Sequence, residues 1–241
     1  MRLHAGGHIV AVIPNYYSAT VKLVGTAVKK PKPDRQPRRR ARTRRAILDA
    51  AGRLFAERGY TAATMEAIAE AADVAVETVY VRFGSKRNLL AAYLDVSIAG
   101  DDEPVPLLER ESARAIAAQT DQRRQIRLLA HLARTILEGA SPAQWVLAGA
   151  VAADRTLEEL VASDDQRRRL THRAFIDMLA RNGPLRAGLS VEDAVDTYSA
   201  LSNPGTYAFL TRRRGWSADR FEIWIGDCFE RLLLPDPGPQ A

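Results

Sequence analysis

The chain has 241 residues, 46% of them hydrophobic and 27% charged, with a formal net charge of +6. That is enough apolar content to fill one or two cores and too much for a disordered polymer. A single cysteine, Cys228, and four histidines exclude a disulfide framework and argue against a zinc site, so neither a metal nor a cofactor is expected. The charge is unevenly placed. Residues 29 to 100 hold 15 Lys/Arg against 8 Asp/Glu, whereas residues 101 to 241 hold 18 against 21. A basic excess confined to one segment is the footprint of a surface that meets phosphates.

In residues 1 to 28, HIVAVIPNYYSATVKLVGTAV is apolar only in patches, interrupted by Pro14, Asn15 and Lys22. It falls short of the roughly 20 uninterrupted apolar residues of a membrane helix and has no secretory cleavage pattern, so a cytoplasmic chain without membrane contact is expected. No function is assigned to this stretch. Residues 29 to 45, KKPKPDRQPRRRARTRR, carry ten basic residues, one acid and three prolines. Without apolar periodicity they read as a disordered arm until about Thr43. Arg38, Arg39, Arg40, Arg42 and Arg44 could there add phosphate contacts or enter a minor groove.

Arg44 to Tyr60 places Ile47, Ala51, Leu54 and Phe55 on one stripe of an amphipathic helix, with Gly59 as its stop. A second short helix starts at Thr64, a candidate N-cap, and turns Ile68, Ala69 and Ala72 inward. Asp73-Val74 forms a tight turn, aspartate supplying the backbone freedom that glycine usually provides. A third helix then runs from about Ala75 to Phe83. Val79 and Phe83 point inward, and Thr78, Val81 and Arg82 share the opposite face, flanked by Glu77 and Tyr80. A hydroxyl, a methyl-bearing side chain, a carboxylate and an arginine on one face are the contact types used in a major groove.

The order RRAILDAAGRLFAERGY, T-x-x-x-I-A-x-x-A, V-x-x-x-T-V-Y, F-G-S-K and L-L, over about Thr43 to Tyr93, resembles the DNA-binding half of the TetR family of bacterial repressors. Carried over, the resemblance puts backbone contacts on Thr64, Thr78, Tyr80 and Lys86, and base-edge contacts on Val76, Glu77, Val81 and Arg82. Lys86 also follows Ser85 at the start of the next helix, where backbone amides favour a phosphate. The chain departs from the family pattern at Asp73, commonly glycine, and at Ala75, commonly serine. Ala75 has no hydroxyl with which to cap the third helix or donate to a phosphate.

Helical patterning continues to about Leu234, and strand signals are absent. Helices are expected from Ser85 to about Ile98, at 106 to 118 and at 121 to 139. Ser141-Pro142-Ala143-Gln144 reads as a capping box opening a helix that reaches about Ala180, with a break near Ser163. Asn182-Gly183-Pro184 stops it; Ser190, Asn203-Pro204 and Gly215-Trp216-Ser217 open later ones. The expected fold class is all-α: a helix-turn-helix domain at 41 to 84 and a larger helical domain at 85 to 234. An extension with the basic arm precedes them at 1 to 40, and a tail follows at 235 to 241.

The final helix is apolar over more than half its circumference, so a second subunit is expected to cover part of it. Val195, Tyr198, Phe221, Trp224, Ile225 and Cys228 are the expected homodimer interface, where the resembled family also pairs. The resemblance further implies a small-molecule effector pocket in the middle helices, with Tyr93, His131, Trp145, Phe175 and Met178 as candidate lining. An enzyme is disfavoured, with no catalytic residues assigned, because the phosphate-loop, G-x-S-x-G and H-E-x-x-H patterns are missing. The resulting expectation is a homodimeric DNA-binding regulator, a repressor by resemblance, released from a palindromic operator by an effector. The alternatives are a nonspecific basic DNA-binding protein and a small helical enzyme.

Overall fold

The computed structural model of the chain describes residues 35–236, and the first 28 residues and the tail beyond Asp236 lie outside them. The described residues contain helices and no strand: α1 (Arg35–Ala62), α2 (Met65–Ala71), α3 (Val76–Phe83), α4 (Lys86–Ala99) and α5 (Glu111–Ala118) come first. They are followed by α6 (Gln122–Ala153), α7 (Glu158–Arg181), α8 (Val191–Leu201), α9 (Pro204–Ala208) and α10 (Ala218–Leu233). A π-helical turn, Phe209–Arg213, continues α9. No helix among the described residues is long and apolar enough to cross a membrane.

Local chemistry sets most boundaries. Thr64, Ser85, Ser190 and Ser217 each accept a backbone N–H three residues on, satisfying a donor the helix start leaves free. Asp73 sits at φ 54°, left-handed backbone that a short polar side chain tolerates and a β-branched one does not. Gly59, at φ 77°, breaks α1 where the sequence places its stop, and one further turn runs to Ala62. Ala75 makes no side-chain cap.

Two segments differ from the sequence reading. Helix α1 begins at Arg35, so Arg38, Arg39, Arg40, Arg42 and Arg44 lie on helix and not on a disordered arm. Residues 29 to 34 lie outside the described part. Arginine is a good helix former, and the apolar stripe from Ile47 anchors the turns before it. Second, the capping box at Ser141 does not open a helix. Helix α6 runs through Pro142 for 32 residues, and the chain breaks at Asp154, not near Ser163. Buried Ser141 donates its hydroxyl to the Leu137 carbonyl at 2.5 Å. Apolar contacts on both sides of the proline, through Leu137, Ala140, Ala143 and Val146, outweigh the one backbone bond it forfeits.

Two apolar cores organise the molecule. The first joins Ile47, Leu54, Phe55, Ile68, Val79 and Phe83 to Leu89, Leu90 and Leu94 of α4 and to Ala143, Val146, Leu147 and Ala150 of α6. The three-helix head therefore shares its core with α4 and the C-terminal part of α6, past the expected boundary at residue 84. The second core packs the remainder of α6 against α5, α7, α8 and α10. A Cβ on Gly139 would come within 2.7 Å of the Ser97 carbonyl, so α4 and α6 touch backbone to backbone there.

The predicted dimer surface is mostly interior. Val195, Tyr198, Phe221 and Ile225 are buried in their own protomer, and only Trp224 and Cys228 are part-exposed. Phe221, Ile225, Phe229 and Leu233 recur every four residues and form the stripe that α10 buries in the second core. The breadth of apolar residues on α10 thus mainly fills the protomer.

Candidate nucleic-acid interface and adjoining cavity

Helix α3 lies on the head with Val79 and Phe83 buried beneath it. Its outer face presents Glu77, Tyr80 and Val81, with Val81 87% exposed and Tyr80 46% exposed. The Tyr80 hydroxyl reaches Glu66 of α2 at 3.5 Å, a weak tether for an otherwise open ring. Thr64 is exposed, its oxygen taken by the Ala67 amide at 3.1 Å while its hydroxyl hydrogen remains available. Thr78 is half-buried. Val76 turns partly into the head core, which leaves little of it for a base edge.

Two basic residues, Lys86 and Arg44, are engaged within the chain. Lys86 donates to the carbonyls of Tyr60 (2.9 Å) and Thr61 (3.2 Å), with its ammonium 4.5 Å from the Tyr60 ring centroid. It closes the end of α1, where a cation is favoured by the free carbonyls. Arg44 donates from Nε to both oxygens of Asp102, at 2.9 and 2.8 Å, and lies 5.0 Å from the centre of the Phe83 ring. Arg82 is half-buried, its Nε has no hydrogen-bond partner, and it borders a cleft with Arg40, Arg44, Asp101, Asp102 and Glu103. Arg44, expected on the arm, is thus paired with an acidic turn, and Arg82, expected at base edges, lines the cleft beside it. That turn comes from beyond α4, too far along the chain for helical spacing to show. Arg38, Arg39, Arg40 and Arg42 are exposed.

Behind the head lies a cavity of about 360 Å³ enclosed by α4, the segment 105–108, α6, α7 and the ends of α8 and α9. Its walls are mainly apolar, from Ile98, Leu107, Ile136, Leu137, Phe175 and Tyr198. Of the five pocket residues expected from sequence, only Phe175 lines it. Tyr93 packs against Gly52 and Phe55 between α1 and α4. His131 is exposed on α6 and pairs with Glu222 at 3.1 Å. Trp145 is 52% exposed, and Met178 packs into the second core.

The cavity's polar groups were missed in the sequence. Asp95 of α4 and Asp164 of α7 sit at one end, with one Arg167 amino nitrogen 3.4 Å from a carboxylate oxygen of each. Gln144 of α6 donates to the other Asp164 oxygen at 3.1 Å. Burial pushes the Asp95 carboxyl up from the usual carboxylate range, with Arg167 opposing the shift. His172 is buried, and desolvation lowers its pKa to about 3, so the ring is neutral; its Nδ1 lies 2.8 Å from the Ser199 hydroxyl. Tyr198 is buried and raised well above its ordinary value, so its phenol keeps its proton.

The segment between α4 and α5 joins the cavity to the head. Its residues 105–108 form cavity wall, while Asp101, Asp102 and Glu103 line the cleft that Arg44 and Arg82 also border. Arg110 stiffens it, donating to both oxygens of Asp101 at 2.6 and 2.9 Å and to the Val105 carbonyl at 3.2 Å.

A helix-turn-helix head is thus joined to a larger helical body that holds a mainly apolar cavity. Residues 47–93 match the family described as bacterial regulatory proteins, tetR family. The fold is similar to a putative transcriptional regulator from Saccharomonospora viridis solved in complex with choline: TM-score 0.59, 22% identity, covering 79% of this chain and 96% of that one. It is also similar to FadR from Bacillus subtilis in complex with stearoyl-CoA: TM-score 0.61, 15% identity, covering 77% and 96%. A third similar structure is NalD, the secondary repressor of the MexAB-OprM multidrug efflux pump in Pseudomonas aeruginosa: TM-score 0.59, 21% identity, covering 81% and 97%. No curated protein sequence matches the chain.

Proposed function

We propose that the chain is a cytoplasmic homodimeric repressor, not an enzyme, that reads a palindromic operator through α3 and is released when a small molecule fills the cavity. The observation that carries this reading is the shared wall: α4 and the 101–108 segment line the cavity on one side and grip the reading head on the other. A ligand that spreads the cavity moves the same segment whose Asp102 holds Arg44. Rotation of the head then takes α3 out of register with the major groove, and the ligand's preference for that state sets the size of the effect.

In this reading Glu77, Val81 and Thr78 face bases, Thr64 and Tyr80 hold phosphates, and Arg38, Arg39, Arg40 and Arg42 add phosphate contacts. Lys86 and Arg82 orient the head and meet DNA only at its margin. The second subunit docks on the outer face of α10, where Ile223 is 68% exposed and Trp224, Asp227, Cys228 and Arg231 lie beside it. Asp227 and Arg231 allow such a face to complement its own copy across a twofold axis.

Binding to a site selected from random DNA, measured by anisotropy, tests the assignment. Val81→Ala and Glu77→Ala should each alter base preference at one symmetric pair of positions and cost about 1 to 3 kcal/mol on the preferred sequence. Base preference and affinity unchanged from the native chain in both variants would contradict the placement of α3 in the groove.

A further inference from the structure

The charges around the cavity do not balance. Asp95 and Asp164 both border it, and Asp164 is 6% exposed. Between them stands one guanidinium, Arg167, 3.4 Å from each and partly exposed itself. Arg168 also borders the cavity, but its charge is answered by Asp165 at 2.7 Å, outside the lining. Arg44, the next cation toward Asp95, is committed to Asp102 by two hydrogen bonds. His172 is neutral. The polar end therefore holds two carboxylates against Arg167, the one lining cation not paired with an acid outside it, a net of one negative charge facing an apolar chamber.

An excess buried carboxylate is costly in an apolar setting, and a bound cation relieves that cost where an anion would add to it. Apolar walls supply the remainder of the contact surface, with the aromatic rings of Phe175 and Tyr198 lining the same chamber. We propose that the cavity selects a lipophilic cation, an organic ammonium or its equivalent carrying an apolar chain, whose positive head lies between Asp95 and Asp164. The assignment rests on the reading of this cavity as the effector site and adds the charge class of its ligand. Because Asp95 is on α4, a cation seated there pulls directly on the helix that carries the head.

The test uses three probes of one chain length: decyltrimethylammonium, decanol and decanoate, titrated calorimetrically into the full-length protein below their micellar concentrations. The cation should bind at least about tenfold more tightly than decanol, and decanoate most weakly, since 1.4 kcal/mol of charge interaction is a factor of ten. Asp164→Asn and Asp95→Asn should each reduce cation affinity about tenfold and leave decanol binding unchanged. Arg167→Gln, at a part-exposed position and with its fold checked by thermal melt, should strengthen cation binding several-fold. Decanoate binding as tightly as the cation, or weaker cation binding in Arg167→Gln, would overturn the charge assignment and leave an effector cavity of another class. No heat with any of the three probes would overturn both the assignment and the cavity's role.

Discussion

Single residues decide how well the reading helix is held. Ala75 leaves the first turn of α3 without a side-chain acceptor, whereas Thr64 and Ser85 cap the helices on either side. Ala75→Ser should stabilise the protein by about 1 kcal/mol in denaturant unfolding. It should also tighten operator binding if, as proposed, the start of α3 meets phosphates. A second residue-scale effect concerns pH. His172 is neutral in the fold with a pKa of about 3, against 6.5 for an unperturbed ring, so the unfolded chain takes up a proton that the folded one refuses. Stability contributed by His172 is complete above pH 6.5 and is lost as the pH falls toward 3. The raised Asp95 acts with the opposite sign, its folded form binding a proton more readily as acid is added. Thermal melts from pH 7 to 4 should therefore fall more steeply for the native chain than for His172→Gln. Parallel curves would show that the ring does not carry this linkage.

At the scale of elements, the first helix starts earlier in the chain than its composition suggests. Arg38, Arg39, Arg40 and Arg42 are spaced along an exposed helix start, a geometry that can lay several guanidiniums along a phosphate ladder. Replacing Arg38, Arg39 and Arg40 by Gln should weaken operator binding at low salt. It should also flatten the log-log salt dependence by about 0.9 for each phosphate left without its arginine. An unchanged slope would leave these arginines as a solvated helix face. The short-range features of this region were legible in the sequence: the caps at Thr64 and Ser85, the left-handed Asp73 and the stripe from Ile47 to Phe55. Each depends on residues within a few positions of one another. The destination of Arg44 was not legible, because Asp102 lies 58 residues from it and no periodicity links them. Helix α6 hid its continuity in the same way. Ser141-Pro142 carries a start signal that burial on both flanks overrides. In the cavity, Phe175 had an apolar signature, but Asp95 and Asp164 look like ordinary helix-surface carboxylates until α4 and α7 are brought together.

The whole molecule has two apolar cores that overlap along α6, and this explains how a ligand site and a DNA head can share one framework. The head core extends through α4 into the last turns of α6, while the earlier turns of the same helix form cavity wall and hold α10. There is no loose hinge at the expected boundary near residue 84, only the cap at Ser85 and the two carbonyl contacts of Lys86. In the proposed reading, movement between the two states is a shift of packed helices, past the backbone approach of Gly139 to Ser97. The broad apolar character of α10 suggested a subunit interface in the sequence, yet most of it fills the protomer. The face left for a partner is narrower and more charged than that reading implied. Two heads on a symmetric dimer would address half-sites about one helical turn apart. Selection of bound sites from random DNA by the purified protein, followed by competition against bulk DNA, tests this directly. The account predicts a palindromic sequence with half-sites about 10 base pairs apart and a specificity ratio of about 10³ or more. No enriched symmetric sequence and a ratio near one would contradict it.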